Sequence, residues 1–273
     1  MNTRERPSDP FAGRFDRPVF LLTSDQDWAP DWAVDVLLAD TLGRGVPLHL
    51  FLTNASPAVD AARNEAGLTT GIHPNFLPGS SHGSTPEDVI RHCMPLAPGA
   101  RTFRCHSFFE NTAVLGKLFA AGFRVDSNLG LFGQPGLVPL FHCTGLLRFP
   151  VFFEDDVFYN LAGPALDLRP LEARLFSPGL KVINVHPSLI GLNAPSQAFY
   201  DGQRAQIYGA GGRPSVHVGR GSRSVLRDLI DTVHAGGHRF ESFEALAGEC
   251  ARRALDPRGA GLYDWGVRSW AGT

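Results

Sequence analysis

Pro18-Val-Phe-Leu-Leu-Thr23 is an apolar run without polar alternation, and Val46-Pro-Leu-His-Leu-Phe-Leu-Thr53 and Gly179-Leu-Lys-Val-Ile-Asn-Val185 are of the same kind. Runs this apolar cannot leave one face in water, so they predict strands covered on both faces, as in a parallel sheet. Segments with helical spacing lie between them. Pro30 and Asp31 open one that reaches Gly43, with Trp32, Val36, Leu37 and Leu42 on or near one face. Ser56 caps a shorter one. Further helices are expected from Pro86, over 111–121, from Pro195, over 225–235 and over 243–254. Short strands are expected near Ile72, over 101–104 and over 123–126, whereas 73–85 and the Phe-, Pro- and Gly-rich stretch 127–165 read as irregular. Strands that alternate with helices from start to end predict one α/β unit on a parallel sheet or barrel.

The 273 residues suit an undivided α/β barrel. Polar residues 1–16 are expected to form a flexible N-terminal arm, and 17–273 a single domain. With 25 basic against 27 acidic residues, the chain lacks the basic excess that a nucleic-acid partner demands. No stretch has the length and apolarity of a membrane-spanning helix. The N-terminus lacks the apolar core of a secretory leader, which predicts a cytoplasmic protein. Cys93, Cys105, Cys143 and Cys250 match no paired metal-binding spacing and read as reduced thiols.

In parallel α/β folds, sites are built at the carboxyl ends of strands, and polar residues gather at four such ends here. Asp25 and Asp27 follow the first strand; two carboxylates so close repel each other unless a cation or a proton separates them. His73 ends the strand near Ile72, and His82 follows in a loop that Pro78-Gly79 can fold back; neutral imidazole is the commonest metal ligand. Arg104 and His106 share one face of an extended segment, and an arginine beside a carboxylate keeps it ionised and oriented. His186 ends the 179–185 strand, placed as a general acid or base. The acidic run Glu154, Asp155 and Asp156 either orients a catalytic histidine or lines a pocket, and Asp126 is a weaker candidate of the same kind.

These stations, in this order, resemble the polysaccharide deacetylase superfamily, the NodB-homology or carbohydrate esterase 4 group. Thr23-Ser-Asp25-Gln-Asp27 is similar to its Thr-x-Asp-Asp motif, and Gly71-Ile-His73 to its Gly-x-His motif. Arg104 matches its arginine motif, Gly122-Phe-Arg-Val-Asp126-Ser127 its Gly-Phe-x-x-Asp-Ser segment, and Asn184-Val-His186 its late Leu-x-His motif. Ser-Asp-Gln-Asp-Trp, His-Pro-Asn and His-Pro-Ser look most like the divergent WbmS-like branch, associated with bacterial surface-polysaccharide loci. The resemblance spans about 18–190.

It implies a distorted (β/α)7 barrel and a divalent metal, commonly zinc, held by one Asp and two His. Carried over, Asp25 is the base, Asp27 and His73 are metal ligands, Arg104 clamps Asp25, and His186 is the general acid. Two departures matter. Gln26 separates the aspartates, so the roles of Asp25 and Asp27 are exchangeable. Leu77 stands where a second metal histidine belongs, which leaves the third ligand to His82 first and His106 second. His106, Asp126, Glu154, Asp155 and Asp156 are then expected against the sugar substrate. The leading expectation is metal-dependent removal of an N- or O-acyl group, acetyl above all, from a sugar or surface-polysaccharide precursor. Two alternatives stand beside it: a deacetylase-like sugar-binding protein without catalysis, and a barrel hydrolase of another bond, such as a two-carboxylate glycosidase.

Overall fold

The computed structural model describes residues 9–209 and 214–255. In chain order it holds β1 (Pro18–Asp25), α1 (Asp31–Thr41), β2 (Leu48–Leu52), α2 (Pro57–Ala62), β3 (Leu68–Ile72), α3 (Pro86–Cys93) and β4 (Thr102–Phe103). Then come α4 (Thr112–Ala120), β5 (Val125–Asp126), β6 (Leu140–Phe141), β7 (Leu147–Arg148), β8 (Val151–Glu154), α5 (Asp155–Ala162) and α6 (Arg169–Leu175). The chain continues through β9 (Gly179–Val185), α7 (Pro187–Leu192), α8 (Gln197–Tyr208), α9 (Ser222–Ala235), β10 (Phe240–Glu241) and α10 (Phe243–Leu255). Ser56, Thr85, Asn111 and Ser196 each accept a backbone N–H at the start of a helix, satisfying donors that the first turn leaves free.

The sheet order is β6-β7-β5-β4-β3-β2-β1-β9-β8, with β10 also on β1. Every pairing is parallel except β6 with β7. β1 is the hub. It pairs β9 from Pro18↔Gly179 to Ser24↔Val185 and β2 from Thr23↔His49 onward. β1, β2 and β9 are buried almost throughout, as expected for strands with side chains covered on both faces. Leu147–Glu154 links the two ends of the sheet order. It begins as β7 against β5 and, after Phe149 and Pro150, becomes β8 against β9, with Gly130 bridging Val151. Pro150 has no N–H to give a ladder, so the passage breaks into two short strands there. The sheet is thus the curled, partly closed α/β barrel that the alternating pattern predicts.

Three details depart from the sequence reading. The stretch 127–165, expected to be irregular, contains β6, β7, β8 and α5. The helix expected from Pro195 is α8, and a separate short helix, α7, already starts at Pro187. Within the expected N-terminal arm, 1–8 lie outside the described residues, but Phe11 and Phe15 are buried. Phe11 stacks on Phe141, and Arg14 pairs with Glu241 and Glu249, so 9–16 belong to the packed body. At the other end, 256–273 of the expected domain also lie outside the described residues.

Gly71 in β3 has a steric reason. A Cβ there would sit 2.5 Å from Thr102 Oγ1 and 2.8 Å from the ring of Phe51, its partner across β2. The glycine of the Gly-Ile-His motif therefore lets Phe51 and Thr102 close over the strand that delivers His73.

Candidate active site

Asp25 is the last residue of β1, Glu154 of β8, and His73 and His186 directly follow β3 and β9. Arg104 and His106 lie just past β4, and Ser127 just past β5. All converge at the carboxyl end of the curled sheet.

At the centre of this end is Arg104, wholly buried. Its Nε donates to Ser127 O (2.8 Å), Nη1 to Asp25 Oδ1 (2.9 Å) and Asn184 Oδ1, and Nη2 to Thr23 Oγ1 (3.1 Å) and Ser127 Oγ (2.7 Å). These bonds occupy all of the donors that a guanidinium carries, and its face lies over Phe51 at 4.6 Å. The other Asp25 oxygen accepts from Asn184 Nδ2 (3.0 Å), which also donates to Glu154 Oε1 (3.0 Å). Asp25 is therefore fixed on both oxygens.

Asp27 sits in a different setting. It and Trp28 have φ of 48° and 54°, the left-handed region that non-glycine residues rarely occupy. Trp28 N donating to Thr53 Oγ1 (2.9 Å) and Ala29 N donating to Gln26 O (2.8 Å) hold this turn. Gln26 itself is tied down, its Oε1 accepting from Thr53 N and Asn54 N. The turn carries the Asp27 carboxylate to His73 Nε2 (3.0 Å) and His106 Nδ1 (2.9 Å). Asp27, His73 and His106 each offer a ligand atom, and these atoms lie within 4.8 Å of one another. Burial opposes the charged form of Asp27, but hydrogen bonds from His106 and His73 outweigh it and hold the carboxyl well below its ordinary range. His73 Nδ1 is buried without a hydrogen bond and faces Asp25 Oδ1 at 3.7 Å.

His186 is held from beneath. Its Nδ1 donates to Asp155 Oδ1 (2.7 Å), its backbone N–H donates to Asp155 Oδ2 (3.0 Å), and its Nε2 is 3.8 Å from Asp27 Oδ2. Burial disfavours the imidazolium, but the charge of Asp155, its hydrogen bond and the charges of Asp156 and Asp27 keep the pKa well above the ordinary value. Burial, then the charge of Asp156, pushes Glu154 up to about 8.

A cavity of about 530 Å³ opens over this floor. Asp27, His106, His186 and Asp156 line it with Gln26, Trp28, Ser188 and Leu189, and α5 and α8 add Tyr159, Gln197, Tyr200, Arg204 and Tyr208. An Asp with two imidazoles is a donor set that suits a divalent cation of borderline softness, zinc among them. The residues present therefore fit a metal at Asp27, His73 and His106.

Several candidates stand elsewhere than expected. His82, first in line as third ligand, lies outside the Asp27–His73–His106 group, with Nδ1 engaged and Nε2 buried without a hydrogen-bond partner. Its Nδ1 accepts from Asn75 N (3.1 Å), the Cys93 thiol is 3.3 Å away, and the ring stacks on His92. His106 stands in the cluster instead. Asp126 is wholly buried and paired with Arg148, both oxygens at 3.0 Å, so it braces β5 and β7 and does not line the cavity. Asp155 is buried under His186, and Glu154 reaches Asn184 beside it; of the acidic run, Asp156 is the residue on the cavity wall. Sequence reasoning singled out neither the anchoring amide of Asn184 nor the polar and aromatic face of α8. The α8 face was open to detection, since Gln197, Tyr200, Arg204 and Tyr208 recur at helical spacing.

The profile of one family, described as WbmS-like polysaccharide deacetylase, matches residues 22–204. This chain belongs to the WbmS-like polysaccharide deacetylase family. The matched span carries every station of the site, from Asp25 to His186, and ends within α8. A solved structure from Bordetella bronchiseptica, described as a polysaccharide deacetylase (WbmS) involved in O-antigen biosynthesis, is 26% identical with a TM-score of 0.67. The match covers 77% of this chain and 88% of that one. Polysaccharide deacetylase structures from Mycobacterium smegmatis (16% identity, TM-score 0.44, 87% and 98% covered) and Bacillus cereus (14%, 0.41, 82% and 91%) are more distant. No curated protein matches. WbmS-like family membership places the chain among sugar-modifying deacetylases and agrees with the curled α/β barrel. No helix among the described residues is long and apolar enough to cross a membrane.

Proposed function

We propose that this protein is a metal-dependent hydrolase that removes an acyl group, most simply acetyl, from an amino sugar of a surface polysaccharide or its precursor. The observation that carries the reading is the convergence of Asp27, His73 and His106 beside His186 on the floor of one cavity. A divalent cation bound by Asp27, His73 and His106 supplies Lewis acidity toward the acyl carbonyl and acidifies water.

The chain's own groups do the rest. Asp25, paired with Arg104 and oriented by Asn184, accepts the proton of the attacking water. His186, charged and aimed by Asp155, returns a proton to the leaving nitrogen, so an amine and a carboxylic acid are released. Trp28 and Leu189 give the cavity apolar wall beside the reacting groups. The assignment of Asp25 as base and Asp27 as ligand is supported by their surroundings: arginine and amide donors on one, imidazoles on the other.

The test is metal content and amine release from N-acetylated hexosamines, for the purified protein and for Asp27→Ala. The reading expects bound divalent metal and turnover in the wild type, and loss of both in the variant. Equal metal content and turnover in the two proteins would overturn it.

A further inference from the structure

The α8 wall contributes a feature that acyl hydrolysis itself does not require. Gln197, Tyr200, Arg204 and Tyr208 follow one another at intervals of three or four residues, so they share one face of the helix, and that face lines the cavity. Ile207 is the buried residue of α8. Tyr208 Oη donates to the backbone carbonyl of Asp27 (3.3 Å) and meets Tyr200 Oη at 2.7 Å. Tyr159 Oη donates to Gln197 Oε1 (2.6 Å). The helix face is thus tied at one end to the catalytic turn and at the other to α5.

Arg204 sits between these ties. It is the one Lys or Arg among the described residues that line the cavity. Its ion pair with Asp201 on the same helix is 3.8 Å long, beyond hydrogen-bond distance, and its side chain is 61% exposed. The guanidinium lies 6.0 Å from the ring centre of Tyr200. A guanidinium that stays accessible beside an aromatic ring offers forked donors to a carboxylate or phosphate. The carboxylates that line the cavity, Asp27 and Asp156, stand beside His106 and His186 on its floor, whereas no acidic residue of the cavity lining is paired with Arg204 on this wall. Arg204 is four residues before Tyr208, one turn along the same helix face, and Tyr208 is the residue that touches the turn bearing Asp27.

We infer that Arg204 binds an anionic substituent, a carboxylate or a phosphate, borne by the sugar held in this cavity, so that the preferred substrate is a charged sugar unit. The inference rests on the deacylation reading for its chemistry, but the binding it describes can be measured without turnover.

The experiment compares wild type, Arg204→Gln and Arg204→Lys on three probes: N-acetylglucosamine, its 1-phosphate, and 2-acetamido-2-deoxyglucuronic acid. kcat and KM come from amine release. Calorimetry on the deacetylated form of each probe reads binding alone. A charged hydrogen-bonded contact predicts that wild type favours at least one anionic probe over the neutral one by about ten-fold or more, mainly through KM. Arg204→Gln should bring that ratio close to one, and Arg204→Lys should retain part of it. Whichever anion shows the preference identifies its source as carboxylate or phosphate. Equal use of neutral and anionic probes by wild type, or an unchanged ratio in Arg204→Gln, overturns the inference. If no probe is turned over, the deacylation reading fails for these sugars, and calorimetry with the deacetylated anions still decides the role of Arg204.

Discussion

Asp155 holds His186 with both oxygens: one accepts the imidazole Nδ1–H at 2.7 Å, the other the backbone N–H of the same residue at 3.0 Å. A residue so held has one ring orientation, with Nε2 turned toward Asp27. Asparagine keeps the shape but has a single acceptor oxygen, so one of the two bonds must go. Asp155→Asn is therefore expected to lower kcat by roughly 10²–10⁴-fold, the worth of a positioned acid, with KM changed little. Steady-state kinetics check this. A fall in KM affinity with kcat intact would show that Asp155 supports substrate binding instead.

Metal retention separates two histidines that sequence spacing ranks in the opposite order. His106 is within 2.9 Å of Asp27, whereas His82 is bound up with Asn75 and Cys93. After dialysis, His106→Ala is expected to keep little divalent metal and His82→Ala nearly all of it, as read by elemental analysis. The reverse result would return the third ligand position to His82.

Replacing Arg104 should cost stability before it costs anything else. Arg104→Met leaves the buried Asp25 carboxylate without its cation and leaves Ser127 and Thr23 without their donor. Removing one partner of a buried ion pair costs about 3–5 kcal/mol. Urea unfolding should show that loss in the midpoint with the slope unchanged. A variant as stable as wild type would refute the account of Arg104 as the strut of the site.

His49 predicts a pH dependence of stability away from the reacting groups. It is wholly buried on β2, with Nδ1 2.7 Å from Thr69 Oγ1 and Nε2 2.9 Å from Thr102 Oγ1. Burial, then the nearby charge of Arg104, lowers its pKa to about 3. The unfolded chain binds a proton at this residue below its ordinary pKa of about 6.5, and the folded chain does not until about 3. The unfolded state thus holds more protons across that window, so stability is full above it and declines as pH falls through it. At roughly 1.4 kcal/mol per unit, the decline reaches a few kcal/mol. Thermal unfolding of wild type and His49→Gln between these pH values should show a slope in the first that is reduced in the second. Identical slopes would exclude His49 as the source.

Much of the fold could be read in advance because β1, β2 and β9 are long and apolar, and the strand-end rule then placed Asp25, His73, Arg104 and His186 without further help. β6, β7 and β8 escaped for the opposite reason. They are two to four residues long, too short for any periodicity to announce them; Pro150 interrupts the passage from β7 to β8, and the parallel partners of β7 and β8 lie farther off in sequence. The grouping of His106 with Asp27 and His73 was hidden for a similar reason. Spacing favours His82, but it cannot show that Asn75 and Cys93 engage Nδ1 of that ring, or that a left-handed turn at Asp27 and Trp28, built without glycine, swings the carboxylate toward His106. Asp126 matched a family segment, yet its partner Arg148 comes 22 residues later on β7, and only the assembled sheet turns it inward.

The placement of β1 as hub has a cost during synthesis. During synthesis β1 finds β2 early, but its other edge waits for residues 179–185. Until they emerge the nascent chain presents a bare, apolar strand edge, the kind of surface on which neighbouring polypeptides aggregate. Fragments that stop short of Val185 retain that edge and lack His186, so production of such pieces should demand chaperones while yielding no partial enzyme.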